Sequence, residues 1–200
     1  MALLPLFPLE IVLFPGAPLP LHIFEPRYKE MITECPEQKR AFGMVRVKES
    51  ALASIGCSAA ILDVVRKYED GRFDIAAEGL RRFEIESLNQ ERSFLQGEVS
   101  YFDDDPSQVG KGPKDTLIQL HEQLFAVLGQ TVQVERDAPS LSFHLAHELP
   151  VDLDFKQALL EMKSEAERIA TLTEYYRATI PKVEKTLLAR KRASGNGHVQ

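Results

Sequence analysis

Four groups of residues have the types and spacing to do chemistry or recognition. His144-x-x-His147-Glu148 sets two imidazoles three residues apart on a predicted helix, close enough to share a metal ion. The order matches neither H-E-x-x-H nor H-x-x-E-H, and the spacing places no third ligand. A pair of partly exposed helical histidines is the simpler reading. Cys57 or Cys35 with His22 could make a nucleophilic thiol–imidazole pair, given a base within hydrogen-bond reach and a lowered thiol pKa. Cys57 follows Gly56 at the start of an apolar strand, where a buried, inert thiol is the usual outcome. Gly110-Lys111-Gly112 is the one candidate phosphate loop. A P-loop needs a glycine five places before its second Gly and a Ser or Thr after its Lys; those places hold Asp105 and Gly112. The fourth group is Phe24-Glu25-Pro26-Arg27-Tyr28. Its architectural reading has Pro26 opening a helix, Arg27 paired with Glu25 or Glu30, and Tyr28 packed. Its functional reading makes Arg27 and Tyr28 a peptide-contacting surface, since aromatic and Arg side chains dominate interface hot spots. Phe14 is a further peptide-contact candidate and equally an anchor beside a turn. No catalytic constellation, metal site or cofactor is expected.

The elements that position these groups divide the chain by period. Up to about residue 110 the pattern is strand-like. Leu3–Leu9 reads as an edge or irregular strand, because Pro5 and Pro8 cannot donate ladder hydrogen bonds. Pro15-Gly16 fits a type II turn, and Leu19–Ile23 continues as a strand. Tyr28, Met31 and Ile32 share one face of a short helix that starts at Pro26. Strands follow at Ala41–Val47 and Ser58–Tyr68. Asp70-Gly71 predicts a hairpin with a type I′ turn. Six or seven short strands with one small helix suggest a closed or nearly closed barrel, which removes exposed edges.

Asp103–Pro113 is polar and rich in turn formers, and reads as a linker. Beyond it the period is helical. Leu117, His121, Leu124, Phe125 and Leu128 form a stripe capped by Gly129. A second helix carries Leu141, Leu145 and Leu149. A third starts near Asp152 or Asp154. A fourth follows the capping-box pattern Ser164-Glu165-Ala166-Glu167 and should kink or end at Pro181. The fold class is therefore α+β: a β-rich part over 1–110, a helical bundle over 111–192 and a disordered tail over 193–200. The Leu117–Leu128 stripe is most simply bundle core, though a spare apolar face could mediate self-association.

Charge and cysteine usage bound the partners. Residues 1–110 carry 12 Lys and Arg against 18 Asp and Glu, so the net charge of −6 lies in the front half. That acidity argues against a phosphate backbone as partner. The short cluster Arg190-Lys191-Arg192 reads as solvated charge. No apolar run is long enough to span a membrane, and the N-terminus lacks the features of a signal peptide. With two cysteines and no C-x-x-C, reduced thiols in the cytoplasm are expected.

The run Leu4-Pro5-Leu6-Phe7-Pro8-Leu9, then Leu13-Phe14-Pro15-Gly16, then Leu19–Tyr28 resembles the opening of the Lon amino-terminal domain family. Similar blocks recur at Phe42-Gly43, Ile55-Gly56, Tyr68–Ile75, Gly79–Phe83, Lys156–Glu161 and Glu167-Arg168. The resemblance implies a PUA-like barrel followed by a helical bundle, with a role in recognising unfolded or exposed protein segments and in assembly. It implies a stand-alone binding module, because the ATPase and Ser–Lys protease modules of a full Lon protease are larger than the space left here. PUA-like barrels also occur in RNA-associated proteins, so RNA binding is the alternative.

Overall fold

Proline is a poor strand residue, yet β1 (Ala2–Leu9) is the strand that closes the barrel. Its first half pairs antiparallel with β7 (Gln96–Phe102), Pro5 opposite Gln96. Its second half pairs in parallel with β3 (Phe42–Lys48), Pro8 opposite Val45. Each proline thus lies where β1 has a ladder on one side, so the missing N–H costs little. Of the edge or irregular strand expected from Pro5 and Pro8, β1 is the irregular one: it changes partner midway and forms the seam of a ring. The ring runs β1, β7, β6 (Phe73–Asn89), β5 (Ile55–Lys67), β3 and back to β1. Two strands lie off it: β2 (Pro18–Ile23) pairs with β6, and the short β4 (Ala51–Leu52) pairs with β3.

The described residues are 2–37, 41–106 and 109–195 of a computed structural model. They form two units. One comprises Met1–Asp104 with Ala146–Lys163, the other Asp105–Leu145 with Ser164–Gln200. A single boundary near residue 110 is thus replaced by an interleaved one, because α4 (Leu153–Glu161) belongs with the barrel. Side-chain bonds explain the placement. Gln157 Nε2 donates to the Ile55 carbonyl at 3.1 Å, and Arg46 and Lys48 each hold Asp154 at 2.8 Å. Buried Arg82 donates to the Leu160 carbonyl at 3.0 Å and also pairs with Asp104. Arg81 binds Asp103 at 2.7 Å. Two of the three linker carboxylates are therefore clamps on β6.

Inside the barrel, Leu4, Leu6, Val45, Phe83 and Val99 form the core. Phe83 fits because two strands present glycine to it. A Cβ built on Gly43 or on Gly56 would lie 2.7 Å from Phe83 Cζ. Beside the barrel, α1 (Pro26–Glu37) buries Tyr28, Met31 and Ile32 as its spacing predicts, and Tyr28 stacks on Phe7 with centroids 3.9 Å apart.

The turns are partly as expected. Gly16 has φ +76°, and Ala17 N–H donates to the Phe14 carbonyl at 3.1 Å, the predicted Pro-Gly geometry. At Asp70-Gly71 the hairpin forms, but not through a type I′ turn, which needs positive φ at both central residues. Only Gly71 is left-handed, at +78°. Gly71 N–H closes a turn onto Tyr68 O at 3.0 Å, and Tyr68 N–H reaches Arg72 O at 2.8 Å, giving the longer loop with a left-handed glycine. Asp70 keeps a negative φ while its carboxylate accepts from the backbone N–H of Arg72 at 3.1 Å.

In the other unit, α2 (Lys111–Val127) buries Leu117, Ile118, His121, Leu124 and Phe125, while Leu128, the last residue of the expected stripe, is exposed just past the helix. The helix ends in a Schellman arrangement: Gln130 N–H reaches Phe125 O at 2.9 Å, with Gly129 at φ +78°. The next helix along the chain is α3 (Leu141–Glu148); in the barrel unit, Asp152 caps α4 through Phe155 N–H at 2.8 Å. Helix α5 (Glu165–Gly195) does not stop at Pro181. The carbonyl that loses its partner is that of Arg177, an exposed residue whose oxygen water can satisfy. Of the tail expected over 193–200, residues 193–195 are helical and 196–200 lie outside the described residues.

Candidate functional site

The expected contact residues separate on burial. Phe14 is wholly buried; its carbonyl faces Gly79, where an added Cβ would approach to 2.1 Å. Tyr28 is buried against Phe7, and burial pushes its phenol above the ordinary value. Arg27 alone of the three keeps an accessible side chain, 51% exposed, paired with Glu25 at 2.8 Å and lying 4.5 Å from the Tyr28 ring centre. Phe14 and Tyr28 hold the scaffold, and Arg27 edges a shallow hollow with Pro8, Arg92 and Phe94.

The thiol–imidazole pair is not assembled at Cys57. Cys57 sits opposite Arg82 of β6 and His22 opposite Asp74, eight residues earlier on that strand. At about 3.3 Å per residue they are roughly 25 Å apart along it. Cys57 is fully buried, and burial pushes its thiol up to about 12. The side chain of Cys35 lies outside the described residues. Ellman's reagent at about pH 8 is therefore expected to reach Cys57 only on unfolding, measured in a Cys35→Ser background. The raised value also fixes a sign. Stability is intact below 9, the ordinary thiol value, and falls as pH rises from there toward 12. Fast labelling of the native protein would contradict this burial.

His144 and His147 lie on α3 at the expected spacing. Among the described residues there is no group of three or more His, Cys, Asp or Glu placed to hold a metal. Gly110 precedes the first turn of α2 in an extended conformation, and Lys111 opens the helix.

A different constellation lies on the ribbon where β2, β6 and β5 run together. His22 Nδ1 meets Asp74 Oδ1 at 2.6 Å, and the Tyr68 hydroxyl donates to Asp74 Oδ2 at 2.8 Å. The carboxylate thereby fixes two rings. The His22 ring lies edge-on to Tyr68, 5.7 Å between centres, and beside Phe24 at 6.0 Å. The guanidinium groups of Arg66 and Arg72 lie 4.6 and 5.2 Å from the Tyr68 ring centre. The hydrogen bond from His22, then that from Tyr68, holds the Asp74 carboxyl below its ordinary range. Donation to Asp74 raises the Tyr68 phenol. Phe24 stands 58% exposed. Pro18 and Pro20, both exposed, alternate with His22 on the same side of β2.

Sequence reasoning missed this cluster although it marked both segments. His22 and Phe24 fell in one block and Tyr68–Ile75 in another. Only the β2–β6 register, His22 opposite Asp74, joins them. No helix among the described residues is long and apolar enough to cross a membrane.

Comparison with known proteins agrees with this architecture. Residues 3–177 match the family model of the ATP-dependent protease La (Lon) substrate-binding domain. The Lon protease of Cytophaga hutchinsonii is 27% identical over 192 residues, covering 86% of this chain and 24% of that protein. That of Parabacteroides distasonis is 28% identical over 143 residues, covering 67% and 17%. The chain thus spans a quarter or less of these two relatives. Among solved structures, a Lon N-terminal domain protein from Xanthomonas campestris superposes with a TM-score of 0.72 at 26% identity, covering 88% of this chain and 99% of that one. The N-terminal domain of Mycobacterium avium complex Lon protease superposes at 0.65 with 18% identity, a likeness of fold. The barrel with its helical C-terminal part and the match over residues 3–177 place the chain in the Lon substrate-binding domain family.

Proposed function

We propose that this protein is a non-catalytic, cytoplasmic binding module that captures exposed segments of other proteins. The observation that carries the reading is the accessible Phe24 within the His22–Tyr68–Arg66–Arg72 cluster. Interface hot spots are rich in aromatic and Arg side chains, and here the rings are fixed before any partner arrives. Asp74 holds His22 and Tyr68 together, so little side-chain freedom remains to be lost on binding. Apolar and proline-bearing segments suit such a face, with Arg27 a more distant contact. The buried thiol and the failed phosphate-loop pattern both favour recognition without chemistry.

The test is fluorescence anisotropy with a reduced, carboxymethylated and therefore permanently unfolded protein as probe. Phe24→Ala is expected to weaken binding about tenfold while leaving the melting temperature unchanged, because Phe24 is exposed. Equal affinity for variant and parent would remove this face from the account. The same titration with single-stranded RNA at low salt separates the alternative: salt-sensitive RNA binding tighter than the unfolded probe would favour it.

A further inference from the structure

The barrel leaves one strand half-paired. β5 lies against β3 only at Cys57–Ala59, whereas its ladder with β6 continues to Lys67. Among the described residues, positions 60–67 therefore have a strand on one side alone. Exposed edges of this kind are templates for pairing with another chain. This edge also carries Leu62 and Val65, at 63% and 65% the most exposed large apolar residues described. Both lie at register shifts in the β5–β6 ladder, between Ile61 and Asp63 and between Val64 and Arg66.

The second shift has a consequence for charge. Strict alternation would set Asp63 and Arg66 on opposite faces of β5. With the extra residue at Val65, Asp63 faces the position of Ala76 and Arg66 that of Asp74, two residues apart on β6 and so on one face. Among the described residues neither Asp63 nor Arg66 has a charged partner within ion-pair distance.

We propose that two copies of this chain associate through this edge, β5 against β5, antiparallel about a two-fold axis between Val64 and Val65. In that register Asp63 of each copy lies opposite Arg66 of the other. The contact is made twice, as an isologous interface requires. Val64 and Val65 meet across the axis, and Leu62 lies along the methylene stem of Lys67. The bulges bend the edge, which limits pairing to one closed contact and opposes open-ended growth. One strand from each copy is less than a standard interface, so the dimer is weak, with a dissociation constant of about 0.1 mM.

Sedimentation equilibrium of the full chain from micromolar to millimolar concentration tests this independently of segment capture. The parent protein is expected to pass from monomer to dimer. Asp63→Arg, which sets like charges opposite each other twice, should weaken association roughly tenfold or more. The charge-swapped double variant, Asp63→Arg with Arg66→Asp, should restore it. Phe24→Ala, which disables the proposed capture face, should dimerise like the parent. Circular dichroism melts verify the fold of each variant. A parent that stays monomeric throughout, a dimer indifferent to Asp63→Arg, or a double variant no better than the single one each overturns the proposal.

Discussion

Truncating Phe83 to Ala is expected to destabilise the barrel unit by about 3–5 kcal/mol, one of the two largest effects of any single substitution here. The ring is fully buried, with Leu4, Leu6, Val45 and Val99 in its cluster. Collapse around the lost ring is restricted because Gly43 and Gly56 offer no side chain to fill the space. Both glycines are held by ladders, Gly43 opposite Ser58 and Gly56 opposite Phe83 itself. Urea denaturation followed by circular dichroism measures the loss. A cost below about 1 kcal/mol would mean that the barrel interior relaxes freely, contrary to its close packing.

Arg168→Met is the second large effect, about 3–5 kcal/mol in the helical unit. The guanidinium is fully buried, bonded to Ser142 Oγ at 2.7 Å and to Glu165 Oε2 at 2.7 Å, and it lies 4.0 Å from the centre of the Phe143 ring. Removing it leaves the Glu165 carboxylate mostly buried without its countercharge. The damage spreads, because Glu165 Oε1 also accepts the Ser142 N–H at 3.0 Å in the first turn of α3. Arg168→Lys should recover only part of the loss, since an ammonium cannot reproduce the planar fork that reaches both partners. Thermal melts of the two variants check the ranking. A Met variant as stable as the parent would show the cation to be dispensable.

Both residues sit in blocks that the sequence marks by resemblance, Gly79–Phe83 and Glu167-Arg168, and the structure supplies the physical reason for each. Gly43, Gly56 and Phe83 are one packing unit spread over three strands. Periodicity can place each on its strand but cannot show that they meet. The helical half was the more legible, because its signals are local. The apolar stripe of α2, the Asp152 cap and the Gly129 stop act within a turn or two of the residues that specify them. At Ser164 the capping pattern is only partly realised. Ser164 Oγ accepts the Glu167 N–H at 3.3 Å, the serine half of the box, and the neighbouring Glu165 reaches out of the turn to Ser142.

The open and the mistaken readings share a cause. Pro5 and Pro8 admit an edge or an irregular strand because a sequence does not reveal that β1 divides its two halves between different neighbours. Residues 153–161 looked like bundle because their attachment depends on Arg46, Arg82 and Ile55, more than seventy residues away. Phe14 and Tyr28 admit both the architectural and the contact reading because hot spots and cores draw on the same aromatic residues, and only burial separates them. The candidate site was legible in its parts and illegible as a whole. His22 with Phe24, and Tyr68 with Asp74, become one surface through a strand register that leaves no local mark.

The central claim is that this protein recognises other proteins by their exposed segments and performs no chemistry on them. A single titration tests it most directly: one labelled protein, offered native and then reduced and carboxymethylated, with the probe recovered afterwards and its length checked. The account predicts saturable binding of the unfolded form, little or none of the native form, and a probe recovered intact. Equal binding of both forms, or a probe returned cleaved, would contradict it.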